Sequence, residues 1–83
     1  LGNWESVQVL IEAGAPLDHV NNLGWTALIE AVVLGDGGPR HARTARLLVE
    51  AGADRTITDR NGKTPLQLAV ERGYKNLIRI LTP

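Results

Sequence analysis

The sequence contains no cysteine, no methionine and no phenylalanine, and aromatic residues make up only 4% of its 83 residues. Without cysteine, disulfides, thiolate metal ligands and cysteine nucleophiles are all excluded. No apolar run approaches the roughly 18 residues that a membrane-spanning helix needs, and no charged stretch followed by an apolar one indicates a secretory signal. We therefore expect a soluble protein that does not bind membranes, and the compartment stays open between cytoplasm and periplasm.

Charge is unevenly distributed along a chain whose formal net charge is zero. Residues 1–38 carry five acidic side chains and no lysine or arginine, whereas residues 39–83 carry nine basic side chains and four acidic ones. The two halves therefore have formal charges of −5 and +5. Such a division suggests either a docking surface for a charged partner or solvated outer faces that attract each other along the fold. We favour the second interpretation.

The sequence repeats itself at a fixed spacing. GWTALIEA at 24–31 aligns with GKTPLQLA at 62–69 when the chain is shifted by 38 residues. The same shift aligns LIEAGA at 10–15 with LVEAGA at 48–53. Several matches in one register indicate an internal repeat, which is typical of proteins built from stacked units.

The true repeat unit is shorter than this shift. Gly2 and Gly35 are separated by 33 residues, so a unit of 33 fits if the middle copy carries five extra residues. We place this insertion near 36–41, in the Gly- and Pro-containing stretch DGGPRHA, which has the composition of a loop. The predicted repeats are then 1–20 (partial), 21–58 and 59–83.

Each copy has the pattern of a turn followed by two short helices. In the last copy, Thr64 can cap the N-terminus of a helix that starts with Pro65 and ends at Gly73. A second helix is predicted to begin at Asn76, and the matching helix of the middle copy is predicted from about 39 to 51. The apolar face of the helix after Thr64 is predicted to comprise Leu66, Leu68, Ala69 and Val70.

With this period and these strings, the sequence resembles the ankyrin repeat family. TPLQLA at 64–69 matches the family signature T-P-L-H-x-A except that Gln67 replaces histidine, and TALIEA at 26–31 is a looser match. The resemblance covers nearly the whole chain. It implies an all-α fold, an ankyrin-type α-solenoid of stacked antiparallel helix pairs with projecting β-turn fingers. Because the first copy lacks the start of its inner helix, we expect further repeats N-terminal to Leu1 in a longer protein.

The resemblance also implies a function. We expect a monomeric scaffold without enzymatic activity that binds another protein, of unknown identity, through a concave face made of fingers and inner helices. An alternative is that these repeats regulate or target a larger enzyme. By family position, the partner-binding residues are Asn22, Leu23, Trp25, Val33 and Leu34 in the middle repeat and Arg60, Asn61, Lys63, Glu71 and Arg72 in the last.

For two side chains and for the insertion, the sequence allows more than one role. Trp25 is either an anchor for the partner or a residue that packs on the neighbouring finger. Glu30 stands where the family has leucine, so it should find a local partner, reach water, or form a polar site with Arg40 or His41. The insertion is either a plain connecting loop or a small-anion site, in which backbone N–H groups, Arg40 and His41 would be the donors.

Little in the sequence points to catalysis, metal binding or nucleic acid. His19 and His41 lie on different segments, and no Ser-His-Asp arrangement, two-histidine helix motif or carboxylate cluster is evident. We therefore predict no catalytic residues, no metal site and no cofactor. The basic residues of the second half have one aromatic neighbour, Tyr74, for stacking on bases, which argues against nucleic acid as the partner.

Overall fold

The computed structural model describes residues 4–83, and this part of the chain folds into five helices. Helices α1, α3 and α5 pack side by side in an outer row, and α2 packs on α4 in an inner row. Contacts between α2 and α3, and between α4 and α5, join the two rows. The predicted all-α solenoid of helix pairs is confirmed. The helices are α1 (Trp4–Glu12), α2 (Ala27–Val33), α3 (Pro39–Glu50), α4 (Pro65–Arg72) and α5 (Lys75–Leu81).

Threonine caps start both inner helices. The Thr26 hydroxyl accepts a hydrogen bond from the backbone N–H of Ile29 at 3.3 Å, and the Thr64 hydroxyl accepts one from Gln67 at 3.2 Å. The Gln67 side chain in turn accepts from the Thr64 backbone N–H at 2.9 Å. This reciprocal capping box satisfies two backbone donors that have no partner inside the helix. The predicted start of α4 at Thr64 and Pro65 is therefore confirmed.

The first and last residues of the helices agree with the predicted boundaries to within one residue. Gly73 ends α4 in the left-handed conformation, with φ of 70°. Helix α3 ends at Glu50, close to the predicted end at about residue 51. Helix α5 begins at Lys75, one residue before the predicted Asn76, because Tyr74 occupies the N-cap position. Among residues 4–83, no helix is long and apolar enough to cross a membrane.

The core lies between the two rows, and its composition follows the repeat. Leu48 on α3 is 2% exposed, and the equivalent Leu81 on α5 is also buried, because each packs beneath the inner helix of its own repeat. The equivalent residue of the first copy, Leu10, is 54% exposed. Within residues 4–83 the first repeat contributes an outer helix, α1, which packs on α3, and no inner helix of its own.

One predicted core residue of the last repeat is at the surface. Val70 is 56% exposed, whereas the equivalent Val32 on α2 has no exposed surface. Within residues 4–83, both inner helices pack on the outer helix of their own repeat, but only α2 also has a following inner helix, α4, on its other side. Leu66, which is half-buried, differs in the same way from the buried Leu28. The sequence pattern identified these positions as apolar but did not reveal which of them are covered.

This difference gives a test of the stacking. Leu28→Ala should lower the free energy of unfolding by about 2–5 kcal/mol, since it removes a fully buried side chain between stacked helices. Leu66→Ala, at the equivalent position, should cost less because part of this side chain already contacts water. Urea denaturation followed by circular dichroism measures both values. Equal losses would contradict the assigned order of burial.

Candidate functional site

Each projecting turn of the middle and last repeats is held by one carboxyl or amide side chain, which accepts hydrogen bonds from two backbone N–H groups of the same turn. In the middle finger (residues 21–25), Asn21 Oδ1 accepts from the N–H groups of Leu23 and Trp25 at 2.9 and 3.1 Å. In the last finger (residues 59–63), Asp59 Oδ1 accepts from the equivalent Asn61 and Lys63, both at 2.9 Å. These two residues were missed as site residues, although both fingers begin with Asn or Asp in the sequence.

The last finger is fastened to the middle finger by Arg60. Its guanidinium Nη2 donates a hydrogen bond to the backbone carbonyl of Asn22. The aliphatic part of the side chain lies against Gly24, where a Cβ atom would be 2.7 Å from Arg60 Cγ. Gly24 also has a φ of 81°, which favours glycine. Arg60, predicted as a partner contact, therefore has a structural role between the fingers.

An ion pair joins the last finger to the far end of α4. Lys63 Nζ contacts Glu71 Oε2, and both side chains are partly exposed. Together with Gln67, these residues form one line along the helix at a spacing of four, beside Leu66 and Val70. The five residues line a groove of about 400 Å³. The predicted site residues Lys63 and Glu71 are thus brought together.

The equivalent line in the middle repeat is apolar. A shift of 38 residues places Trp25, Ile29 and Val33 where the last repeat has Lys63, Gln67 and Glu71. Ile29 is fully buried, and Trp25 and Val33 are half-buried and pack against the core. The Trp25 side chain therefore stabilises the fold in part and presents the remaining part to the surface.

Two more apolar side chains lie at the surface of this repeat. Leu23, in the middle finger, is 56% exposed, and Leu34, the C-cap of α2, is 55% exposed. With Trp25 and Val33 they form a set that we term the apolar patch. The equivalent set in the last repeat is polar and carries two cations and one carboxylate. We term it, with its finger-tip arginine, the charged patch: Arg60, Asn61, Lys63, Glu71 and Arg72.

Glu30 has a local partner. Its Oε1 accepts a hydrogen bond from Asn21 Nδ2 at 2.5 Å, so it bonds to the base of the middle finger and not to Arg40 or His41. In the last repeat the two positions hold Asp59 and Leu68. The Asn21 amide can donate to Glu30 while its oxygen closes the finger, which a carboxylate cannot do. The departure from the family pattern at Glu30 is therefore matched by a second difference at Asn21.

The insertion packs on the last repeat. The Tyr74 hydroxyl donates to the carbonyl of Gly35 at 3.2 Å, and a Cβ on Gly37 would lie 2.5 Å from the Tyr74 ring. Asp36 Oδ1 accepts from the Gly38 N–H at 2.8 Å, at the start of α3, and lies 3.8 Å from His41 Nδ1. A carboxylate of the chain itself thus occupies one of the donors suggested for an external anion, which favours the connecting-loop interpretation.

A hydrogen-bonded carboxylate, Asp54, lies at the junction of the first two repeats. Hydrogen bonds from the Thr56 hydroxyl and backbone N–H lower the pKa of the exposed Asp54 carboxyl. The Asp54 N–H donates to Asp18 Oδ1 at 2.8 Å and so links successive repeats. Within residues 4–83, no group of three or more acidic or histidine side chains is arranged to hold a metal ion.

Comparison with known proteins agrees with this architecture. A family model described as ankyrin repeats (3 copies) matches residues 1–83. The chain belongs to the ankyrin repeat family. Ankyrin repeats are generally protein-interaction modules, and their stacked units form extended binding surfaces.

Individual relatives show the same likeness. An ankyrin repeat domain from Acinetobacter baumannii AYE is 48% identical, superimposes with a TM-score of 0.94, and is matched over 96% of this chain and 41% of its own. The ankyrin repeat protein YahD of Escherichia coli (strain K12) is 42% identical over 89% of this chain and 37% of its length. The human protein phosphatase 1 regulatory subunit 27 is 35% identical over 95% of this chain and 47% of its length. The chain thus spans less than half the length of each of these relatives.

The bond between Asn21 and Glu30 can be tested with the combination found in the last repeat. Asn21→Asp should lower the free energy of unfolding by about 1 kcal/mol or more, because it replaces a donor by a second carboxylate beside Glu30. In a Glu30→Leu background the same change should cost little, since Asp and Leu occupy these positions in the last repeat. Urea denaturation of the four proteins of this cycle measures the coupling. An equal cost of Asn21→Asp in both backgrounds would refute the assigned bond.

Proposed function

We propose that this chain is a protein-interaction module that binds another protein through the concave face predicted from the family, made of the apolar patch and the charged patch. The observation that supports this face most directly is the exposure of Leu23 and Leu34. Large apolar side chains that remain at the surface next to a tryptophan are typical of binding sites.

Comparison of equivalent positions shows that the exposure of Leu34 has a different cause from the exposure of Val70. Leu34 is exposed although a repeat follows it, and its equivalent Arg72 is exposed although a repeat precedes it. The position therefore points away from both stacking directions. Val70, by contrast, occupies a position that becomes buried once a following repeat is present, as Val32 shows. Exposure at Leu34 thus belongs to the repeat itself and leaves the side chain available to a partner.

A second candidate function is that these repeats regulate or target an enzyme. The observation in its favour is the likeness to a protein named as a regulatory subunit of protein phosphatase 1. The same surface would then contact the enzyme or its substrate. Identification of the proteins bound by the chain separates this possibility from a general scaffold role.

The proposal predicts different effects for two exposed apolar side chains, Leu34 and Val9. Leu34→Gln should weaken partner binding about tenfold or more, the effect expected for an anchor residue. Val9→Gln, on the outer helix α1 and outside both patches, is the control and should leave binding unchanged. Affinity capture from lysate of the source cells, quantified by mass spectrometry, measures both, and thermal melts verify folding.

The opposite order of effects, or no loss with Leu34→Gln, would refute the assignment of the binding face. We choose Leu34 and not Trp25 for this comparison because Trp25 packs against the core. Its replacement by alanine would lower stability together with affinity.

A further inference from the structure

The chemistry of the two patches restricts the kind of partner, given the binding face proposed above. The apolar patch and the charged patch belong to adjacent repeats whose inner helices pack on each other. Packed helices have axes about 8–10 Å apart, so equivalent positions such as Leu34 and Arg72 are separated by a similar distance. A partner that crosses from one repeat to the next therefore meets an apolar surface and then a positive one.

Arg60 lies at the boundary between the patches. It belongs to the last finger, but its guanidinium donates to the carbonyl of Asn22, next to Leu23 in the middle finger. Its stem is held against Gly24, which has no side chain to displace it. One hydrogen bond uses only one of the five N–H donors of a guanidinium. The remaining donors of this exposed side chain can form the paired hydrogen bonds that a carboxylate accepts.

The charge of the last repeat is only partly balanced. Glu71 pairs with Lys63, whereas neither Arg60 nor Arg72 has a carboxylate partner among the described residues. The charged patch keeps an excess of two positive charges in a chain whose net charge is zero. Because Arg60 is already positioned by Asn22 and Gly24, an acidic group would bind without the full entropy cost of ordering a free arginine.

We propose that the partner contributes a segment with a bulky apolar side chain and, close to it, an aspartate or glutamate. The apolar side chain packs on the apolar patch, and the carboxylate binds the guanidinium of Arg60, with a second acidic residue within reach of Arg72. The spacing of the repeats, about 10 Å, corresponds to about three residues of extended chain. This inference rests on the proposed function, since it assumes that the concave face is the binding surface.

Selection from a phage-displayed library of random 12-residue peptides, with the 83-residue chain as the immobilised target, tests the proposal. We expect the enriched peptides to carry Asp or Glu within about four residues of Leu, Ile, Phe or Trp, the spacing set by the adjacent repeats. For one enriched peptide, replacing its acidic residue by the amide should weaken binding about tenfold, the effect of losing a charged hydrogen-bonded pair. Fluorescence anisotropy with the synthetic peptide measures this ratio.

The assignment to Arg60 needs a second comparison. On the Arg60→Gln protein, the acidic peptide and its amide version should bind about equally, whereas Arg46→Gln on the outer helix α3 should preserve the tenfold difference. Enriched peptides without acidic residues, an unchanged ratio on Arg60→Gln, or no enriched peptide at all would overturn the proposal. If the enriched peptides lack acidic residues but bind the Leu34→Gln protein more weakly than the wild type, only this inference fails. If their binding is insensitive to Leu34→Gln, the proposed binding face fails too.

Discussion

The structure depends on the packing of one inner helix on the next, because no single helix pair covers its own apolar surface. Val32 loses all its exposed surface beneath α4, while Val70 at the equivalent position of α4 remains largely in water. In a solenoid, stability comes from such interfaces between neighbours. Hydrogen bonds at the edges, from Asp54 to Asp18 and from Arg60 to Asn22, then fix how successive repeats are aligned.

This stacking divides the positions of a repeat into two kinds. At one kind, exposure depends on whether a neighbouring repeat is present, as at Val32 and the equivalent Val70. At the other kind, represented by Leu34 and Arg72, the side chain is exposed beside either neighbour, and its type is free to differ. Adjacent repeats use this freedom in opposite ways, since Trp25 and Val33 are replaced by an ion pair in the last repeat. The repeats share a fold but present different chemistry on one face.

The sequence predicted what local rules and the repeat period determine. Thr64, Pro65 and Gly73 bound α4 as expected, because caps depend on residues a few positions apart. Features that join distant segments were not predictable in this way. The bond from Arg60 to Asn22 spans 38 residues, and it became visible only once the fingers were placed side by side. The partner of Glu30 also required the finger geometry, because Asn21 is nine residues away in the chain.

The role of Arg60 connects stability with recognition. If the last finger shifted relative to the middle one, Arg60 would lose both its carbonyl acceptor and its contact with Gly24. The guanidinium would then no longer lie at the middle finger, and the apolar and charged patches would separate. The candidate surface is therefore a property of the interface between two repeats and of neither repeat alone. For this reason the same packing that buries Val32 also sets the distance between the apolar patch and the charged patch.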